Sequence, residues 1–445
     1  MTTPGTTELR RTLGRGDIVF AVIGNVIGSG IFLVPAETLR AAGGSTTAAF
    51  MVWALGGVLC LLGALTYGEL GAANPEAGGI YCHVRDAFGP LPAFLYGWVL
   101  FLIIGPATVA ALAVASVAYL GQLVNLGSVG ARVLSVAMIL VIGAINVAGA
   151  RESANVQNAS AALKAGALVV LSGILIVLGR WGAFESVPGA APPALLGGVG
   201  AAMVGVLWAY EGWQWVTFSA GETRDPRRSF PFGLVVGTAA LVAIYLLVNA
   251  GYFMALGPAA AQSSTSIAAD AVAATIGTGM GKVIAALVVL ATFSAAHSSV
   301  LTVPRVFYQM ARDGLFFRKL AEVHPRFGTP AWAVLSTTAI SVVYALSGTF
   351  DQLLTAVVFT AWAFYGLGAA TIFVFHHRSP NAQRPFSVPG YPFTPALFVA
   401  ASAGVVVNTL FTQSVVSAAG LGVMLLGIPA FYAWRRRTVV RPITT

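Results

Sequence analysis

Runs of about twenty apolar residues, the length a helix rising 1.5 Å per residue needs to cross a bilayer core, recur along almost the whole chain. They fall near residues 17–38, 46–70, 90–120, 131–149, 156–179, 196–220, 231–255, 282–311, 330–347, 351–376, 392–411 and 413–434, so twelve spans are expected. The last two are separated only by Thr412 to Ser414. A soluble fold would have to cover this much apolar surface with charge, and only 9% of the 445 residues are Asp, Glu, Lys or Arg, against about 25% in ordinary soluble proteins. With 57% hydrophobic residues and a mean hydropathy of +0.84, lipid is the solvent that suits the chain. The expected fold class is an all-α polytopic membrane protein.

The formal charge of +9 does not point to nucleic acid, because the basic residues sit in short segments between the apolar runs. Arg10, Arg11, Arg15, Arg85, Arg151, Arg224, Arg227, Arg228, Arg305, Arg312, Arg318, Lys319, Arg326, Arg378, Arg384, Arg435 to Arg437 and Arg441 all fall on one side of an alternating topology. The other side holds Arg40, Arg132, Arg180 and Lys282. The positive-inside rule then places both termini, residues 1–16 and 435–445, in the cytoplasm of a cell inner membrane. The apolar run after Arg15 lacks a small-residue cleavage pattern in a polar exit, so it is read as a retained first helix. Cys60 and Cys82 are too few for a disulfide framework. No metal cluster or positioned nucleophile emerges, so neither a cofactor nor an enzyme activity is expected.

The most informative irregularity lies in span one, where Ile27-Gly28-Ser29-Gly30-Ile31 follows Gly24 and precedes Pro35. Glycine tolerates dihedrals outside the helical well. An interruption at membrane depth must line a cavity or bind something, because unpaired backbone groups in hydrocarbon cost several kcal/mol each. The second half-helix would then present amides suited to a carboxylate. The same small residues also suit close helix packing, and the residues alone leave the two readings open. Span six carries Trp208, Ala209, Tyr210, Glu211 and Gly212, an acid beside a glycine in an apolar run. An intramembrane acid is by default a functional-site hypothesis; a structural ion pair or a protonated, hydrogen-bonded carboxyl is the bland alternative. Interruptions in spans one and six, five helices apart, are the pattern of an inverted repeat with a midplane site.

Lys164, near the start of span five, either replaces a bound cation or exchanges a proton there, or else snorkels to the interface. Span eight contains Ser294, His297, Ser298, Ser299 and Thr302, for which helix-to-helix hydrogen bonding is the simple account. The segment 255–280 has room for a short outer helix, and Leu315 to Leu320 for an interfacial one.

These residues resemble the L-type amino acid transporters of the amino acid, polyamine and organocation superfamily. The likeness runs through Ile27 to Phe32, Tyr67-Gly68-Glu69-Leu70 with Pro75, Gly78, Gly79 and Tyr81, then Ala209-Tyr210, Gly212-Trp213, Glu222 and Asp225-Pro226-Arg227. It continues in Pro304-Arg305, Ala311 to Gly314, His324-Pro325-Arg326, Thr329-Pro330, Phe364-Tyr365-Gly366 and Arg384 to Pro389. The resemblance implies a LeuT-like arrangement of two inverted five-helix repeats, 17–179 and 196–376, with two peripheral helices within 392–434. It implies alternating access, with Ile27, Gly28, Ser29, Gly30 and Ile31 around a substrate carboxylate. Backbone carbonyls of the first break and of Trp208 to Tyr210 would meet the ammonium, with Trp208 closing over from outside. Lys164 matches the family lysine that stands where sodium-coupled relatives of the fold hold an ion, which implies sodium-independent transport.

Three departures refine this. Glu211 stands where members carry various small or polar residues, which brings cationic substrates into range. The usual pair of acids after helix six is here Gly221-Glu222, and the outer connection 119–132 has no cysteine for a disulfide-linked heavy chain. The expectation is a stand-alone transporter or exchanger of neutral and cationic L-amino acids, with a polyamine carrier or a non-transporting amino acid sensor as rivals. Expected pocket residues are Ile27 to Ile31, Trp208 to Glu211, Ser294 and Ser298; Glu222, Arg151 and Arg305 are inner-gate candidates, joined by Arg224, Arg227 and Arg228.

Overall fold

The computed structural model describes residues 13–76, 78–121, 124, 126–148, 153–179 and 198–438, and among these the chain is helical throughout except for its connections. Span one is a pair, α1 (Arg15–Val26) and α2 (Gly30–Ala41), bent by 53°. Then follow α3 (Thr46–Ala73), the short α4 (Ile80–Phe88), α5 (Pro90–Val99) running through a π segment into α6 (Gly105–Leu120), α7 (Ser128–Ala148) and α8 (Ser153–Leu178). Span six is α9 (Gly200–Ala209) and the 3-10 turns Trp213–Glu222. Beyond it lie α10 (Pro226–Ser263), α11 (Ile267–Thr275), α12 (Gly281–Thr302), α13 (Pro304–Arg312), α14 (Ala331–Ser347), α15 (Phe350–Arg378), α16 (Phe393–Thr412) and α17 (Ser414–Thr438). Helices therefore stand at all twelve expected positions, and the weakest division, between Thr412 and Ser414, is a real helix boundary.

The third span shows how local chemistry shapes a uniformly apolar run. Pro106 has no N–H to give to the preceding turn, and Leu100–Ile104 widens into a π segment in which Gly105 N–H reaches Leu100 O. The Leu102 carbonyl instead accepts from the Tyr344 hydroxyl of α14 at 2.9 Å. The irregularity is thus satisfied internally, as membrane-depth backbone requires.

Packing follows a regular rule. α1 and α2 lie against span six, α3 against α10, α6 against α12 and α7 against α14, so each of the first four spans touches the one five places later. Edge-on rings lock the centre: Trp53 on α3 meets Tyr245 on α10 at 5.7 Å and Tyr210 at 5.9 Å. α16 packs on α15, α3 and α9, and α17 on α5 and α15, while Phe411 (84% exposed) and Val415 (82%) project outward, as side chains facing acyl chains would. On the shorter connections, Arg85 of α4 joins Glu76, Asp86 and Asp313, each at 2.8 Å. Partial burial works against its charge, and the three carboxylates outweigh that, moving its pKa above the usual arginine value.

Candidate functional site

Span one leaves the helix at Ile27, with φ −69° and ψ 93°, and restarts at Gly30. Such a break orphans carbonyls at the end of α1 and amides at the start of α2. The carbonyls are taken up by side chains from other spans. Lys164 Nζ donates to Gly24 O at 2.9 Å and to Ile27 O at 3.0 Å, and the lysine is fully buried, so it does not snorkel. The Tyr245 hydroxyl lies 3.1 Å from both Val26 O and Ala209 O, sharing its single proton between the two breaks. At the start of α2 the Phe32 and Leu33 amides turn back to Ser29 O at 3.1 and 3.2 Å. The amides ahead of them form the positive end of the α2 dipole.

Span six breaks at Tyr210-Glu211-Gly212. Tyr210 N–H still reaches Val206 O at 3.1 Å and Glu211 N–H reaches Trp208 O at 3.0 Å, after which Gly212 turns the chain at φ +108°. A Cβ at Gly212 would lie 3.3 Å from Asn25 O, so glycine here supplies both the dihedral and the space beside α1.

The two readings of the glycine patch hold at different residues. A Cβ on Gly30 would come within 2.4 Å of Ala209 Cα, so this glycine lets the two broken spans touch backbone to backbone. A Cβ on Gly28 would meet only the tip of Leu112 at 2.9 Å and Ala295 Cβ at 3.3 Å. Close packing and interruption are parts of one construction.

Ile27, Ser29, Ile31, Trp208, Ala209 and Tyr210 are thus gathered, all buried, around the point where the breaks meet. Trp208 Nε1 donates to Ser29 Oγ at 3.3 Å, and its ring meets Phe350 edge-on at 5.9 Å, which holds it over the break. Ser298 bonds to Asn25 Oδ1 of α1 and accepts from Gln157 Nε2 at 3.0 Å. Ser294 shares a hydrogen bond with Ser160 of α8 at 2.6 Å. Both serines therefore serve helix contacts beside the break. Glu211 is buried and turned toward α15, where its carboxylate accepts from Tyr365 and, at 3.0 Å, from Gln214. No cationic group is within ion-pair distance of Glu211 among the described residues.

Below the breaks, Glu222 and Arg305 form a two-pronged pair at 2.5 and 3.0 Å. Leu13 pairs with the backbone there, its N–H on Glu222 O at 3.0 Å and its carbonyl accepting from Arg224 N–H at 2.9 Å. Asp17 accepts from Asn158 at 2.5 Å, tying α1 to α8. Arg151 lies outside the described residues, and Arg227 and Arg228 make no ion pair among them. Residues not singled out from the sequence include Tyr245, Gln157, Gln214 and Asn25. The signal for Tyr245 was a hydroxyl inside the apolar run Ala243 to Val248, which must find a partner.

Chemically, the meeting point offers helix-end amides for an anion, and the span-six break itself contains a buried carboxylate with no cationic partner among the described residues. Both cysteines are buried and neither is in a disulfide. A family model described as amino acid permease matches residues 13–432. The serine/threonine exchanger SteT of Bacillus subtilis (strain 168) is 31% identical over 440 residues, spanning 96% of this chain and 98% of the relative. The b(0,+)-type amino acid transporter 1 of Homo sapiens is 30% identical over 402 residues, 87% of this chain and 80% of the relative. The cystine/glutamate transporter of Homo sapiens is 29% identical over 434 residues, 96% and 85% respectively.

Proposed function

Since the chain belongs to the amino acid permease family and its work is amino acid transport across a membrane, we propose that it moves neutral and cationic L-amino acids by alternating access, without sodium. The observation that carries this reading is the facing pair of breaks at Ile27 to Gly30 and Tyr210 to Gly212, joined by Tyr245. In the proposed mechanism the substrate carboxylate docks on the amides of Gly28 to Ile31, replacing the water it loses with donors already oriented. Trp208 closes the outer side. Glu222 and Arg305 close the inner side and separate when the substrate leaves inward.

Sodium independence is supported by Lys164, whose ammonium bonds to the carbonyl oxygens at the end of α1 that a cation would otherwise satisfy. The cationic range is supported by Glu211, a buried acid held by two neutral donors. The contacts between spans five places apart support two inverted repeats, 17–179 and 196–376, with 392–434 peripheral. The basic segments support cytoplasmic termini in the cell inner membrane. The buried cysteines support a transporter that works without a disulfide-linked heavy chain.

The test is uptake and counterflow in proteoliposomes with a panel of neutral and cationic amino acids. Accelerated uptake with internal amino acid supports the reading, and binding in detergent without uptake would mark a sensor. A second reading, a polyamine or amine carrier, is favoured by the Glu211 carboxylate, which has neutral donors and no cationic partner among the described residues; competition by cadaverine and not by alanine would select it.

A further inference from the structure

A groove of about 440 Å³ opens on the surface between α1, α3, the first turns of α10 and the connection from α15 to α16. Its wall is apolar, with Phe232, Val236 and Phe386 along it, and Phe232 and Val236 are 47% and 40% exposed. They are four residues apart on α10 and so share one face. Its rim carries three arginines, Arg15 in the first turn of α1 and Arg227 and Arg228 in the first turn of α10. All three are exposed, and none of their guanidinium groups has an ion pair or hydrogen bond among the described residues.

Arg224, three residues before Arg227, is likewise exposed and without an ion pair among the described residues, but it does not line the groove, and other basic groups near by are neutralised. Arg85 has three carboxylates, Arg305 has Glu222, and Arg384 has Glu69 at 3.2 Å. Glu69 lines the adjoining cavity with Arg227, yet it is already engaged by His376 at 2.6 Å, by Arg384 and by the Val388 amide at 2.7 Å. Three unneutralised guanidinium groups at the end of an apolar channel call for a ligand with an anionic head and an apolar tail. Their position at helix starts puts the head at the membrane interface, and the Phe232 to Val236 face leads from there toward the bilayer core. A free anion would engage the arginines and leave the wall unused.

We propose that this groove binds an anionic phospholipid, with its phosphodiester on Arg15, Arg227 and Arg228 and an acyl chain along Phe232 and Val236. The ligand joins α1, α10 and the 385–389 segment, so it also ties together elements that are distant in sequence. An interfacial basic residue contributes about fivefold in affinity for an anionic lipid, and two together about thirtyfold.

The test is native mass spectrometry of the full chain released from detergent containing equal amounts of phosphatidylglycerol and phosphatidylcholine with identical acyl chains, alongside thermal-shift titration with each lipid and with inorganic phosphate. The expected result is selective retention of phosphatidylglycerol, a rise in melting temperature with that lipid alone, and about thirtyfold weaker retention in the R227Q/R228Q variant. Equal retention of the two lipids by the unaltered protein, which needs no variant to fold, overturns the proposal. Stabilisation by inorganic phosphate equal to that by phosphatidylglycerol would show an anion site without a lipid tail and also overturns it.

Discussion

The ammonium of Lys164 sits 3.0 Å from the carbonyl of Ile27, the residue at which the first span leaves its helix. A second bond, to Gly24 O at 2.9 Å, makes the lysine the cap of α1 from within the bundle. It is a positive group at a helix C-terminal end, where the macrodipole favours it. Replacing it by methionine keeps the volume and removes both donors. Each buried carbonyl left unsatisfied costs about 1–3 kcal/mol. K164M is expected to lose at least tenfold in transport, roughly 1.4 kcal/mol at the barrier, and to melt earlier in detergent. Wild-type counterflow by K164M would refute a capping role.

The glycines of the first break should not be equivalent. Gly30→Ala drives a methyl into the backbone of Ala209, whereas Gly28→Ala meets the movable end of Leu112. Overpacking costs about 1–3 kcal/mol where neighbours cannot yield. G30A is therefore expected to destabilise the protein and stop transport, and G28A to retain a measurable part of both. Thermal melting and uptake of the two variants side by side check the order, which reverses if the patch serves binding alone.

Glu211 is expected to decide substrate charge. E211Q keeps the shape beside Gln214 and Tyr365 and removes the charge. Competition assays should show lysine and arginine losing about tenfold or more in apparent affinity, about 1.4 kcal/mol, while alanine changes little. Parallel losses for lysine and alanine would assign Glu211 to structure.

The pair of Glu222 and Arg305 is expected to hold the inner side shut. Charge-assisted hydrogen bonds contribute about 1.5–3 kcal/mol, so E222Q should shift the population toward an inward-open form. A cysteine introduced at Ser294 reports this through labelling from the cytoplasmic side, since Cys60 and Cys82 are buried. Labelling should be faster in E222Q. An unchanged rate would leave the pair a surface contact.

Much of this architecture was legible in the sequence because lipid imposes strong rules. Apolar run lengths placed the twelve helices, and the glycines at 28, 30 and 212 marked the places where they break. The contacts that organise the breaks were not legible. Tyr245 to Val26 and Tyr365 to Glu211 join residues far apart in the chain, and neither periodicity nor spacing encodes which hydroxyl meets which acceptor. The π segment at Leu100 to Ile104 was only half visible: Pro106 marks where the ladder must lose a donor, but the partnership of Leu102 with Tyr344 that takes up the freed carbonyl is a tertiary contact. Glu211 was recognised as unusual from its type, but its turn toward α15 comes from packing.

Counterflow in proteoliposomes with sodium replaced by choline on both sides tests the central claim most directly. The account predicts that unlabelled internal amino acid accelerates uptake of labelled amino acid to the same extent with and without sodium, because Lys164 occupies the carbonyls at the end of α1. Uptake that appears only with sodium, or no acceleration by any internal amino acid, would contradict it.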